Sequence, residues 1–307
     1  MITVREVDSE NGLTTIRLES DSLCVEVVPA IGGRIIDITE KPGGHRFLWR
    51  NPGLKLQRSV PGSAYDLCFY GGIDEILPND IPEEFNGTHF PDHGEIWTLP
   101  LDHAIEGNSL ILRGVLPLMG FDYRKKLTLR DESPHIAIAY RIENLSPERK
   151  IFMWKMHAAL AIEPGDTLVC PATYAEVLDT EWSRWKQTEP FPWPLIQNER
   201  ADSIPGMIND FDYLCLSGLD EGKIGLLNHS AGMECTYHFD TEIFPYAHYF
   251  ATYGGFNGLY TGVLEPCTTR TSSVVEEKEH SRCSSLEPGE VLETTVTLYA
   301  GTIRGEV

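Results

Sequence analysis

No stretch of this chain holds one pattern for long. Short apolar or alternating runs recur from end to end, each cut by Gly, Pro, Asn or Asp. Thr14–Ser20 alternates with a period of two, Asp21 and Ser22 turn the chain, and Leu23–Val28 resumes it. Pro29-Ala-Ile-Gly-Gly33 interrupts, and Arg34–Thr39 runs on to a Lys41-Pro-Gly-Gly44 turn. Period-two runs joined by such turns are the mark of antiparallel strands. This opening reads as a meander, with Trp49 closing it.

The same reading extends down the chain. Strands are expected at Trp97–Leu101, His103–Glu106, Ser109–Leu116, Asp122–Leu129 and His135–Glu143. Another begins at Ile151. Further strands are expected at Tyr213–Gly218, Ile224–Asn228, Met233–Phe239, Gly258–Glu265 and Val291–Ala300. Two regions break the rhythm. Residues 52–100 are rich in Gly, Pro, Asn, Asp and aromatics. Residues 172–210 carry Trp182, Trp185, Trp193 and four prolines between Pro190 and Pro205, with one short helix expected near 176–184. Long irregular segments in a compact fold are usually functional. The expectation is an all-β fold: a large antiparallel β-sandwich spanning 1–307 as a single domain, with two aromatic-rich loop regions on its concave side.

Bulk composition narrows the function classes. A net charge of -21 over 307 residues argues against a nucleic-acid binder, which needs a basic footprint, and against an anionic membrane surface. No apolar run is long enough to span a bilayer, and no signal peptide is visible at Met1-Ile-Thr-Val-Arg-Glu. Seven scattered cysteines without a CxxC pair read as reduced thiols. The expected location is cytoplasmic.

Three residues stand out chemically. His157 sits in Ile151-Phe-Met-Trp-Lys-Met-His-Ala-Ala-Leu160. If this is a strand, Met153, Lys155, His157 and Ala159 share one face, and Trp154, Met156, Ala158 and Leu160 share the other. The all-apolar face belongs to the core, so His157 lies with Lys155 on the more polar one. His93 lies in a cluster with His89, Asp92 and Glu95, whose spacing fits a polar Gly-containing turn better than a metal site. Glu265 ends an apolar strand before Pro266, and a carboxylate there is either exposed or paired. Phosphate-cradling glycine loops and the G-x-S-x-G elbow are absent.

Taken in order, these segments resemble the aldose 1-epimerase (galactose mutarotase-like) superfamily, of which the chain would be a divergent member. The resemblance is carried by Gly32-Gly33-Arg34-Ile35, Gly71-Gly72-Ile73-Asp74-Glu75 through Pro78, Pro91-Asp92-His93-Gly94-Glu95 and Glu143-Asn144. It continues through His157, Leu264-Glu265-Pro266 and Leu286-Glu-Pro-Gly-Glu290. It implies a β-supersandwich with a sugar site on its concave face. It implies an isomerase that interconverts sugar anomers without cofactor or metal, with His157 as general acid and Glu265 as general base. It assigns His93 to sugar oxygens and Arg34, more loosely, to the sugar. The family's His-Pro-Tyr-Phe-Asn-Leu around the acid is replaced here by Met156-His-Ala-Ala-Leu-Ala161, so the sugar itself is left open. Arg34, Lys155 and Arg184 are the cations available for a phosphorylated substrate. The same framework also allows a non-catalytic carbohydrate binder, or a lyase or hydrolase using a Glu/Asp pair.

Overall fold

A computed structural model describes residues 1–7, 11–131 and 133–305. Almost all regular structure in it is antiparallel strand, arranged as two large sheets. The first sheet has 11 strands. It starts with the N-terminal meander (Thr3–Val7, Thr15–Glu19, Leu23–Val28, Arg34–Glu40) and continues through Gly72–Ile76, Lys155–Leu160, Tyr260–Cys267, Tyr246–Tyr253 and Phe211–Ser217 to Tyr174–Val177 and Phe191–Pro192. The second sheet has 8 strands and holds the long pair Phe121–Arg130 and Ser133–Asn144 beside Val291–Thr302.

The sheets meet over one apolar layer. Ile16, Val25, Ile35, Ile73, Met156 and Ala158 from the first sheet are buried in the same cluster as Leu112, Phe121, Ile138, Tyr140 and Leu298 from the second. Burial of each large side chain contributes roughly 1.5–3 kcal/mol. One ion pair crosses this layer: Lys125 Nζ lies 2.7 Å from Glu75 Oε1, both side chains are inaccessible, and Tyr140 donates to the same oxygen at 2.7 Å. Because side chains alternate along a strand, Glu75 pointing inward turns Asp74 to the opposite, concave face.

Several local expectations are corrected. Trp97–Leu101 is not a strand. Ile96–Thr98 forms a 3-10 turn whose Ile96 and Trp97 are buried, because a short apolar run does not distinguish a strand from a buried turn. No helix forms at 176–184. Tyr174–Val177 is a strand paired with Phe211–Ser217, followed by a turn in which Asp179 Oδ1 accepts from Glu181 N and Trp182 N. The charged run Val274–Glu279 is a short helix, capped by Ser273 and by Glu83 on Val274 N. Strands Thr3–Val7, Gly72–Ile76 and Tyr246–Tyr253 were not foreseen. Gly72–Ile76 escapes a periodicity reading because it is buried on both faces and shows no alternation. Trp49 does more than close the meander: its N–H donates to Ala159 O at 2.9 Å, linking the meander to the His157 strand. All seven cysteines are free thiols, and no described helix is long and apolar enough to cross a membrane.

Candidate active site

The centre of the concave face is a single row of side chains on three neighbouring strands. The register sets Asp74 opposite His157. On the other side, Lys155 pairs with Cys267 and Ala158 with Leu264, which places His157 across from Glu265. Side chains opposite each other in an antiparallel pair are neighbours on one face. Accordingly, His157 Nδ1 lies 3.0 Å from Asp74 Oδ1, and His157 Nε2 lies 3.7 Å from Glu265 Oε1. The Asp74 carboxylate accepts the Nδ1 proton, which turns Nε2 toward the cavity.

Asp74 is itself held on three sides. Arg34 Nη2 ion-pairs with Oδ2, and the Tyr65 hydroxyl donates to the same carboxylate at 3.0 Å. Burial would push this carboxyl up, but Arg34 outweighs it, and His157 and Tyr65 add to the pull, bringing it down to about 2. It is therefore ionised at neutral pH and orients the imidazole.

A second branch runs from Glu265 through Lys155. The Lys155 ammonium is fully buried. It lies 2.6 Å from Asp80 Oδ2, 3.0 Å from the Tyr213 hydroxyl and 3.7 Å from Glu265 Oε2. Burial alone would lower its pKa, but Asp80 and Glu265 raise it well above the ordinary value, so it stays charged. Asp80 is pulled far down by Lys155 and His93 against its own burial. Glu265 goes the other way: burial raises it, and Lys155 and His157 offset that only in part. Glu265 Oε2 is buried and accepts no hydrogen bond from the protein.

His93 completes the branch. Its Nδ1 lies 2.7 Å from Asp92 Oδ1, its Nε2 lies 3.6 Å from Asp80 Oδ1, and its ring stacks on Tyr65 at 3.8 Å. Burial works against protonation, but Asp92 and Asp80 win and raise its pKa. The turn that presents it is exacting. His93 has φ +58° and Gly94 φ +72°, and a Cβ on Gly94 would stand 2.2 Å from Leu77 O.

These groups open into a cavity of about 530 Å³. His93, His157 and Glu265, each singled out from sequence, all line it. Arg34 does not: it is buried behind the row, bonded to Asp74 and to Gly71 O at 3.0 Å, so the reading of Arg34 as a sugar contact gives way to a support for Asp74. Trp154 is buried in the core on the far face, and Trp97 packs edge-on against Tyr65 beneath the site. No metal-holding group of His, Cys, Asp and Glu occurs among the described residues. Tyr65, Asp80 and Tyr213 carry no sequence signal of their own. Asp74 lay within the Gly-Gly-Ile-Asp-Glu segment, but nothing in the pattern marked it as the partner of His157.

A family model for a domain of unknown function, DUF5107, matches residues 5–197. The chain belongs to the DUF5107 family. The matched span contains Asp74, Asp80, His93, Lys155 and His157; Tyr213 and Glu265 lie beyond it. No curated protein matches the sequence. Among solved structures, a galactose mutarotase-like protein from Clostridium acetobutylicum shares 14% identity over 98% of this chain and 99% of that one, with a TM-score of 0.71. A galactose mutarotase related enzyme from Lactobacillus acidophilus shares 14% identity over 95% and 99%, with a TM-score of 0.69. A TPR-domain containing protein from Parabacteroides distasonis shares 15% identity over 96% of this DUF5107 chain but 48% of its own, with a TM-score of 0.71. At these identities the likeness establishes a common fold, the galactose mutarotase-like β-sandwich.

Proposed function

We propose that this DUF5107 protein is an aldose 1-epimerase-like isomerase that opens and recloses a sugar ring by general acid/base catalysis. The observation that carries this reading is the pair of His157 Nε2 and Glu265 Oε1, 3.7 Å apart at the cavity floor. The ring oxygen and the C1 hydroxyl of an aldose sit on the same carbon, so one adjacent donor and acceptor can address both.

In the forward step, Glu265 takes the proton of the C1 hydroxyl. The C1–O electron pair forms the aldehyde carbonyl, the bond from C1 to the ring oxygen breaks, and the doubly protonated His157 ring gives its Nε2 proton to the ring oxygen, keeping its Nδ1 proton against Asp74. Rotation about the C1–C2 bond presents the other carbonyl face. Reclosure returns one proton to His157 and one from Glu265 to the new C1 hydroxyl. The raised pKa of Glu265 suits a base that must also give its proton back. His93, mostly buried beside Asp92 and Asp80 yet lining the cavity, is placed to contact sugar hydroxyls.

A hydrolase using Asp80 and Glu265 as paired carboxylates would instead release a reducing end. The test is magnetisation-exchange NMR on pure anomers of a panel of aldoses. Enzyme-dependent interconversion without release of a reducing end supports the reading. Binding with no change in interconversion rate would leave only a carbohydrate-binding role.

A further inference from the structure

The cavity extends well past the acid/base pair. Its volume of about 530 Å³ falls within the roughly 300–1,000 Å³ range of sites for drug-sized ligands, which are larger than a single pyranose. The extension is aromatic and continuous. Tyr213, which touches Lys155 at the catalytic end, stands edge-on to Phe250 at 6.0 Å. Phe250 in turn contacts Phe211 at 5.9 Å and Phe256 at 6.1 Å. Trp182 stands at the rim with 64% of its surface exposed.

That indole is carried by a fixed turn. The backbone N–H of Trp182 donates to Asp179 Oδ1 at 3.1 Å, and Ser183 N donates to Asp179 O at 3.0 Å. The next residue is tied to the sheet by Arg184 N to Phe211 O at 2.9 Å and by Arg184 Nε to Asp212 at 2.8 Å. An aromatic held in place at the rim of a cavity offers a fixed apolar face on which a ring can stack.

Charge defines which ring fits there. No Lys or Arg is among the described residues lining the cavity, whereas Asp66, Asp80, Asp179 and Glu265 are. The three cations a phosphate would require are already paired: Arg34 with Asp74, Lys155 with Asp80 and Arg184 with Asp212.

We propose that the outer, aromatic part of the cavity is a second sugar subsite, which takes an uncharged sugar unit glycosidically linked to the aldose whose C1 lies at Glu265. The preferred substrate is then the reducing end of an unphosphorylated disaccharide or longer saccharide. The attachment is through a hydroxyl other than that on C1, with the outer ring stacked on Trp182. This rests on the isomerase reading above.

The experiment compares anomer exchange by the full chain for 1,3-, 1,4- and 1,6-linked reducing disaccharides, their reducing-end monosaccharides and the matching 6-phosphates. The expected result is a higher kcat/KM for at least one disaccharide than for its monosaccharide, and the lowest for the phosphates. Trp182→Ala should lower the disaccharide value about 3- to 10-fold, the scale of one lost aromatic stacking contact. The monosaccharide value should stay unchanged, which also reports that the variant is folded. Equal rates for disaccharide and monosaccharide, an unaffected disaccharide rate in Trp182→Ala, or a preference for a phosphate would overturn the second subsite. Absence of exchange with every sugar would instead overturn the isomerase reading itself.

Discussion

His157 and Glu265 face each other across adjacent strands at 3.7 Å, each braced from behind: His157 by Asp74 at 3.0 Å, Glu265 by Lys155 at 3.7 Å. Along this line basic and acidic side chains alternate from Arg34 through Asp74, His157, Glu265, Lys155 and Asp80 to His93. No member is left as an isolated buried charge, which is what makes so polar a centre tolerable.

Loss of either reacting group should remove exchange without unfolding the protein. Glu265→Gln and His157→Asn are each expected to lower the anomerisation rate at least ~100-fold, the usual scale for a general acid or base. Exchange NMR measures the rate, and circular dichroism confirms the fold. Full activity in either variant would discard the mechanism.

Lys155 and Asp80 should move the pH profile in opposite directions. In the proposed mechanism Glu265 is a base only above its pKa, so it would set the acidic limb of kcat/KM. Lys155 lowers that pKa and Asp80 raises it. Lys155→Met is therefore expected to shift the acidic limb to higher pH, and Asp80→Asn to lower pH. A purely structural role would reduce the rate in both without separating the limbs.

Asp74 should make stability sensitive to acid. Its folded-state pKa of about 2 lies below the ordinary 3.8. Its contribution is fully present above about pH 4 and is lost as pH falls toward 2, amounting to about 2 kcal/mol. Urea unfolding between pH 5 and 2 should show a loss of this size that is missing in Asp74→Asn. At neutral pH, Arg34→Met leaves Asp74 buried without its cation and should cost about 3–5 kcal/mol.

The His93 turn should tolerate no side chain at Gly94. Gly94→Ala would place a Cβ against Leu77 O at a left-handed φ. The expected result is a loss of roughly 1–3 kcal/mol in stability and a raised KM, since His93 is displaced, with a smaller change in kcat. Steady-state exchange kinetics beside urea unfolding separates the two effects.

The sandwich was legible in the sequence wherever a strand has one wet face. Ser109–Leu116 was read with its exact limits, and Leu23–Val28 likewise, because alternating burial leaves alternating residues. The strand carrying His157 was also legible, along with the choice of face for Lys155 and His157. Gly72–Ile76 was not. It lies between Arg34–Glu40 and the His157 strand, buried on both sides, and its alternation disappears with its solvent.

Residue types alone therefore determined that this chain forms antiparallel sheets and that His93, His157 and Glu265 are chemically available. The tertiary structure decided the partners. Asp74 and Glu265 are 191 positions apart in sequence, yet they flank one imidazole, because strand order rather than chain order sets which side chains share a row. It also reassigned Arg34 from ligand contact to support, and committed Lys155 and Arg184 to carboxylates rather than to a phosphate. A cation's role depends on the nearest anion in space, and no local pattern in a sequence encodes that distance.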